Sequence, residues 1–124
     1  MPRKPAADPE AFLPLSPPMY QLMVALAGQE LHGWAIMKEV AGRTGGKIQL
    51  SPGTLYGLIK RLLAQRLIEE SDRRPPYYWD DQRRRYYRLT DLGRRVAQAE
   101  AQRMQQAVEA ARSKKLLVPA PRPG

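Results

Sequence analysis

The sequence contains no cysteine and a single histidine, and its 12 acidic residues are outnumbered by 21 lysines and arginines. The absence of cysteine excludes disulfides and thiolate metal sites. There is also no glycine loop of the kind that cradles a phosphate and no acid pair in a buried context, so little remains to carry out a chemical reaction. We therefore predict a protein that is not an enzyme and has no cofactor and no metal ion.

The sequence also lacks long apolar runs. No segment approaches the roughly 20 apolar residues that span a bilayer, and the first 12 residues have no apolar core of a signal peptide. A cytoplasmic protein is expected.

The 124 residues suffice for one small domain. The net charge of +9 favours an anionic partner, either nucleic acid or an anionic membrane surface.

Residues 51–62, SPGTLYGLIKRL, have the pattern of a short helix with a marked beginning. Ser51 suits the N-cap and Pro52 the first helical position. One buried stripe is predicted at helical spacing, formed by Leu55, Leu58, Ile59 and Leu62. The outward face contains no acid, as a helix laid against nucleic acid requires, and consists of Thr54, Tyr56, Gly57, Lys60 and Arg61. An ordinary solvated face is the alternative that this pattern leaves open.

Two helices and a short strand are predicted before this segment. The first helix follows Ser16 and ends near Gly28, and the second opens at His32-Gly33-Trp34. We expect His32 to be a cap or packing residue, Gly33 to allow close packing, and Trp34 to lie in the core. Residues 47–50 alternate polar and apolar side chains and are a candidate strand.

After the helix at residues 51–62, a hairpin with a long polar connection is predicted, with strands at residues 67–71 and 86–89. Three consecutive arginines lie at its base, Arg83, Arg84 and Arg85. We predict that they contact phosphates or the minor groove, although such hairpin tips are often only solvated. The aromatic tip, Tyr77, Tyr78 and Trp79, folds back on the hairpin, stacks on a base or meets a partner.

A last helix is predicted after Thr90, which suits its N-cap. Small residues repeat along it at alternating spacings of four and three, forming a heptad-like seam of Ala97, Ala101, Met104, Val108 and Ala111. We interpret this seam as a contact between two subunits, and packing on the helix's own domain is the alternative. The element order, with two helices before a third helix and a hairpin, is that of a winged helix-turn-helix.

The segments HGWAIMKEV (32–40), SPGTLYGLIKRL (51–62) and RRRYYRLTDLGRR (83–95) together resemble the PadR family of bacterial transcriptional regulators. The resemblance covers roughly residues 15–104. It implies a repressor that binds double-stranded DNA and dimerises through its C-terminal helix. The expected fold is mainly α with a small β-hairpin wing. Carried onto this chain, the family's DNA contacts fall on Thr54, Tyr56, Lys60 and Arg61 in the third helix, and on residues 83–85 in the wing.

The resemblance also suggests a division of the chain. We expect an unfolded arm over residues 1–15, the winged helix domain over 16–90, the dimerisation helix over 91–113 and an unfolded basic tail over 114–124.

A homodimer would require an inverted-repeat operator. No membrane partner is expected, and any small-molecule effector is unknown. Some family members bind flat aromatic ligands between their C-terminal helices, but residues 92–111 contain no aromatic, and Trp34 is the nearest candidate to line such a pocket.

The family often has glycine where this chain has Arg66, and a left-handed arginine there would cost on the order of 1 kcal/mol. An RNA- or ribosome-associated basic protein is the alternative function, since the charge of +9 favours it as well.

Overall fold

The computed structural model describes residues 7–73 and 85–118, and it consists of four α-helices with a small antiparallel sheet. A 3₁₀ helix, Pro9–Phe12, precedes α1 (Pro17–Ala25), β1 (Leu31–His32), α2 (Gly33–Arg43), α3 (Pro52–Ala64), β2 (Ile68–Glu70), β3 (Tyr86–Leu89) and α4 (Asp91–Ser113). This confirms the predicted fold class, while a dimer contact through α4 stays a prediction. Within the described residues, no helix combines the length and apolar content that crossing a membrane requires.

Each α-helix begins at a side chain that accepts a hydrogen bond from the third residue after it. The N-caps are Ser16, His32, Ser51 and Thr90. Proline occupies the beginning of α1 and of α3, where its missing N–H leaves no bond unmade. The cap role predicted for His32 is confirmed, because its Nδ1 accepts from the N–H of Ala35 at 3.3 Å. The helix starts therefore follow directly from the local sequence.

The core lies where α1, α2 and α3 meet the inner face of the sheet and the first turns of α4. Its fully buried side chains include Leu22, Met23, Ile36, Val40, Leu55, Leu62, Leu67 and Val96. Leu58, which was predicted within the buried stripe of α3, is only half-buried at its margin.

The strand that completes the sheet is β1, Leu31–His32. The strand predicted at residues 47–50 does not form. Residues 31 and 32 pair with Tyr87 and Tyr86, so the strand order is β1-β3-β2 with antiparallel neighbours. Residues 47–50 have no strand beside them. Instead the N–H of Ile48 donates to the Thr44 hydroxyl at 3.1 Å, which closes a turn over the left-handed Gly45 and Gly46. The alternation arises because Ile48 and Leu50 pack on the core from this loop.

Trp34 is not in the core, contrary to the sequence prediction, and 54% of its surface is exposed. The buried stripe of α2 runs through Gly33, Ile36 and Val40, one residue away from it. Lys38 Nζ lies 5.1 Å from the centre of the Trp34 ring, within cation–π distance. The prediction for Gly33 is confirmed, because a Cβ there would lie 2.8 Å from the hydroxyl oxygen of Tyr56.

Part of the segment predicted as an unfolded arm, residues 1–15, is folded against α4. Residues 9–12 form the 3₁₀ helix, and the N–H of Leu15 donates to a carboxylate oxygen of Glu100 at 2.6 Å. Glu100 is 1% exposed and also accepts from Arg103. Burial alone would raise the pKa of Glu100, but the hydrogen bonds from Arg103 and Leu15 outweigh it and hold the pKa below its ordinary value. Residues 1–6 lie outside the described part.

The corner between α3 and β2 meets the beginning of α4. Arg66 adopts the left-handed conformation, with a φ of 60°, and its carbonyl accepts from the Thr90 hydroxyl at 2.7 Å. The carbonyl of Leu67 accepts from the N–H of Thr90 at 3.1 Å. A Cβ placed at Gly93 would overlap that same Leu67 carbonyl, so only glycine lets α4 lie this close.

We predict that Gly93→Ala lowers the free energy of unfolding by about 2 kcal/mol or more, since the backbone must move to admit the methyl group. Gly42→Ala is the matched control, because a Cβ at that helical position meets nothing within 4 Å. It should stabilise the protein by about 0.4–1 kcal/mol. Urea denaturation of both variants measures the difference, and equal effects would contradict the close approach of α4.

Candidate nucleic-acid interface

Helix α3 has one buried side and one solvent-facing side. Leu55, Ile59 and Leu62 are buried against the core. The opposite side, at spacings of three and four residues, is exposed and consists of Gly53, Gly57, Lys60, Arg61 and Ala64. No acidic residue occurs between Pro52 and Ala64. The outward face predicted from the sequence is therefore present as an acid-free surface, with small residues along its middle.

The backbone of α3 is open to approach at two points of this face. A Cβ built at Gly53 or at Gly57 would meet nothing within 4 Å. Lys60 and Arg61 flank this bare strip, on opposite sides of it by helical geometry. Thr54 is exposed in the first turn, and its hydroxyl accepts from the Ser51 hydroxyl at 3.0 Å. A partner lying against α3 would thus meet backbone, a hydroxyl and two cations.

Tyr56 is the exception among the residues that the sequence placed on the outward face. It is half-buried and packs against the core cluster. Its hydroxyl lies over Gly33, at the first residue of α2. Tyr56 therefore connects α3 to α2 at the flank of the face, and only part of its ring is accessible from outside.

Arg61 lies beside the N-terminal segment. Together with Gln65 it lines a groove whose other wall contains Phe12, Leu15 and Met19. The sequence did not anticipate this neighbourhood, because residues 1–15 carry no apolar periodicity that would predict packing. The folded segment thus places the end of α3 next to the 3₁₀ helix.

Only one of the three arginines predicted for the wing is described. Arg85 is exposed and pairs with Glu70, with 3.0 Å between Nη1 and the carboxylate oxygen. Arg83 and Arg84, together with the aromatic tip at residues 77–79, lie outside the described residues. An exposed pair of this kind contributes about 0–1 kcal/mol, so a phosphate can compete for Arg85.

The base of the wing is tied to the loop that precedes β1. Glu30 accepts from the Ser71 hydroxyl at 2.6 Å and from Arg88 at 3.3 Å, and Arg88 also bonds Glu69 at 2.9 Å. The hydrogen bond from Ser71 is the main cause that holds the pKa of Glu30 below its ordinary value, against a smaller opposing effect of burial. Sequence reasoning missed Glu30 and Ser71 because they are far apart in the chain and match no motif.

Among the residues that the structure describes, the buried positions of helix α4 lie in its first half. Gly93, Val96 and Glu100 are its buried residues. The predicted seam divides into the half-buried Ala97, Met104 and Ala111 and the exposed Ala101 and Val108. Within the described part of the chain, Ala101 and Val108 are therefore the members of the seam with the least cover.

Several solved structures share this fold. The PadR-like transcriptional regulator of Bacillus cereus is 17% identical, with a TM-score of 0.64 over 81% of this chain and 92% of that one. A transcriptional regulator from Clostridium thermocellum is 18% identical, with a TM-score of 0.61 over 77% of this chain and 87% of its own. For a PadR-like transcription factor of Bacteroides fragilis the identity is 20% and the TM-score 0.62, over 77% and 86% of the two chains.

At such low identities the likeness extends to the fold alone, and a comparison with curated proteins gives no match. The sequence profile of the transcriptional regulator PadR-like family, however, matches residues 22–99. This span includes α2, α3, the three strands β1 to β3 and the first nine residues of α4, and it is more than half of the chain. The chain belongs to the PadR-like family of transcriptional regulators.

Proposed function

We propose that this protein is a homodimer that binds double-stranded DNA sequence-specifically and represses transcription from an inverted-repeat operator. The observation that carries the proposal is the exposed, acid-free face of α3. Its backbone is open at Gly53 and Gly57, and Lys60 and Arg61 flank this open strip on either side. The repressor role rests on the resemblance to the PadR family.

A duplex suits this face better than folded RNA does. The major groove of B-form DNA, about 12 Å wide, admits an α-helix, whereas the deep and narrow major groove of A-form RNA does not. Because Gly53 and Gly57 have no side chain, the helix can approach base edges closely. The N–H groups of Lys60 and Arg61 can then donate hydrogen bonds to guanine edges and phosphates.

We predict that Lys60→Ala or Arg61→Ala weakens binding of the operator duplex by about 1–3 kcal/mol if a base edge is contacted. Arg94→Ala, which removes an exposed cation from α4 instead, is the charge-matched control and should have a much smaller effect. The operator is first selected from a pool of random duplexes. Parent-like binding by both α3 variants would contradict the assigned face, and better competition by structured RNA than by duplex DNA would favour the RNA-binding alternative.

We further propose that Arg83, Arg84 and Arg85 contact the DNA backbone from the wing. Changing all three to Ala should reduce the salt dependence of binding by about one unit of slope for each lost phosphate contact. Selected and random duplexes should lose affinity by similar factors, because phosphates carry no sequence information. A triple change of Arg94, Arg95 and Arg112 to Ala removes the same charge from α4. An equal reduction of slope in that control would show that only net charge matters.

The homodimer part of the proposal rests on α4. Its 23 residues measure about 34 Å at 1.5 Å per residue. Two domains held at opposite ends of such a pair of helices would be separated by about one helical turn of DNA, the usual spacing of half-sites. The small residues of the seam allow the two helices to approach closely.

Replacing Met104 and Val108 by Glu places like charges in that contact and leaves them unpaired. We expect a folded monomer that has lost tight operator binding, because one half-site alone contributes too little. Sedimentation together with the far-UV spectrum measures this. A folded variant that still sediments as a dimer would place the interface elsewhere, and a parent protein that is monomeric at micromolar concentration would contradict the inverted repeat too.

A further inference from the structure

Trp34 and Lys38 form an exposed pair on α2, one helical turn apart. The Trp34 side chain is 54% exposed, and Lys38 Nζ lies 5.1 Å from the centre of its ring. No carboxylate among the described residues forms an ion pair with Lys38. The two side chains together therefore present a flat apolar ring and a cation that an anion from outside can reach.

This pair lies next to α3. Gly33, the residue before Trp34, abuts the first turn of α3, since a Cβ at Gly33 would lie 2.8 Å from the Tyr56 hydroxyl and 3.1 Å from a methyl group of Leu55. Lys60 follows Tyr56 by four residues, which places both on the same flank of α3. The flank of α3 that carries Lys60 is therefore the one that meets α2.

The pair also lies on the side of α2 that faces away from α1. Arg43 comes nine residues after Trp34, so the two side chains leave the helix on opposite sides. Arg43 donates to the backbone carbonyl of Gln21, on α1, at 2.7 Å. On α3 the cation of the α1 side is Arg61, because its groove contains a residue of α1. Trp34 and Lys60 thus lie on the same side of the domain.

The acidic residue next to this pair is engaged elsewhere. Glu39 is the one acid of α2, and it pairs with Arg43 at 3.5 Å. It also accepts a hydrogen bond from the side chain of Gln29 at 3.2 Å. The acid-free surface of α3 therefore continues onto α2, where Lys38 adds a further positive charge.

We propose that Trp34 and Lys38 bind the sugar–phosphate backbone beside the groove that α3 enters. The inference rests on the DNA binding proposed above. A helix in a major groove about 12 Å wide has a phosphate strand on each side, and α2 lies on the side of Lys60. Lys38 meets a phosphate there, and the ring of Trp34 packs against a deoxyribose, since indole combines an apolar face with one N–H donor. Such a contact positions α3 in the groove without reading the bases.

Tryptophan fluorescence tests the contact directly. Trp79→Phe leaves Trp34 as the only tryptophan of the full-length chain. On titration with the selected duplex, the acrylamide quenching constant of Trp34 should fall, because the DNA backbone covers the ring. The control chain carries Trp34→Phe, Trp79→Phe and Leu117→Trp. Its single indole stands at an exposed position beyond the end of α4, and its quenching should not change.

The salt dependence of binding is the second measurement. Lys38→Ala should reduce the slope by about one unit, and selected and random duplexes should lose affinity by similar factors. Lys114→Ala removes an exposed lysine from the end of α4, and this matched control should leave the slope nearly unchanged. Trp34→Ala should also weaken both kinds of duplex equally, with a smaller change of slope, because the ring carries no charge.

The outcomes separate this contact from DNA binding itself. If the duplex binds but either the quenching of Trp34 or the slope for Lys38→Ala equals its control, the contact from α2 is overturned and binding through α3 stands. A protein that binds no duplex overturns both. Protection of Trp34 that grows with protein concentration in the absence of DNA would assign this surface to a contact between copies, and it would overturn the proposal as well.

Discussion

The backbone carbonyl of Leu67 is the point on which the arrangement of this chain depends. It accepts the N–H of Thr90, and Gly93 lies directly against it. The neighbouring Arg66 carbonyl accepts the Thr90 hydroxyl, which requires the left-handed turn at Arg66. These contacts fix the beginning of α4 to the end of α3 and to the first strand of the wing. The direction in which α4 leaves the domain is set there, and the separation of two domains in the proposed dimer depends on it.

The distribution of charge gives α3 its distinct role. At the base of the wing the acids and arginines neutralise one another, through Glu30 and Glu69 with Arg88 and through Glu70 with Arg85. Helix α3 has two cations and no acid to compensate them. Part of the net charge of +9 is therefore presented on a face whose bare backbone an anionic partner can reach closely.

The sequence predictions that were wrong share a physical origin. Residues 47–50 alternate like a strand, but a strand needs a neighbour, and the edge of β3 is occupied by Leu31–His32 instead. Trp34 is apolar enough for the core, but its helix turns Gly33 and Ile36 inward. The folding of residues 9–15 depends on Glu100, which lies 85 residues beyond Leu15. In each case the deciding group is distant in the chain.

The sequence by itself determined the helix starts, the buried stripes and the acid-free face of α3, because caps, prolines and helical periodicity act within a few residues. It also carried the motifs that identify the family. Only the tertiary structure decided which strand completes the sheet, which side of Tyr56 is covered, how Glu30 holds the wing and how residues 9–15 pack on α4. These features arise from groups brought together across the chain, whose pairing depends on the packed core and leaves no periodic pattern in the sequence.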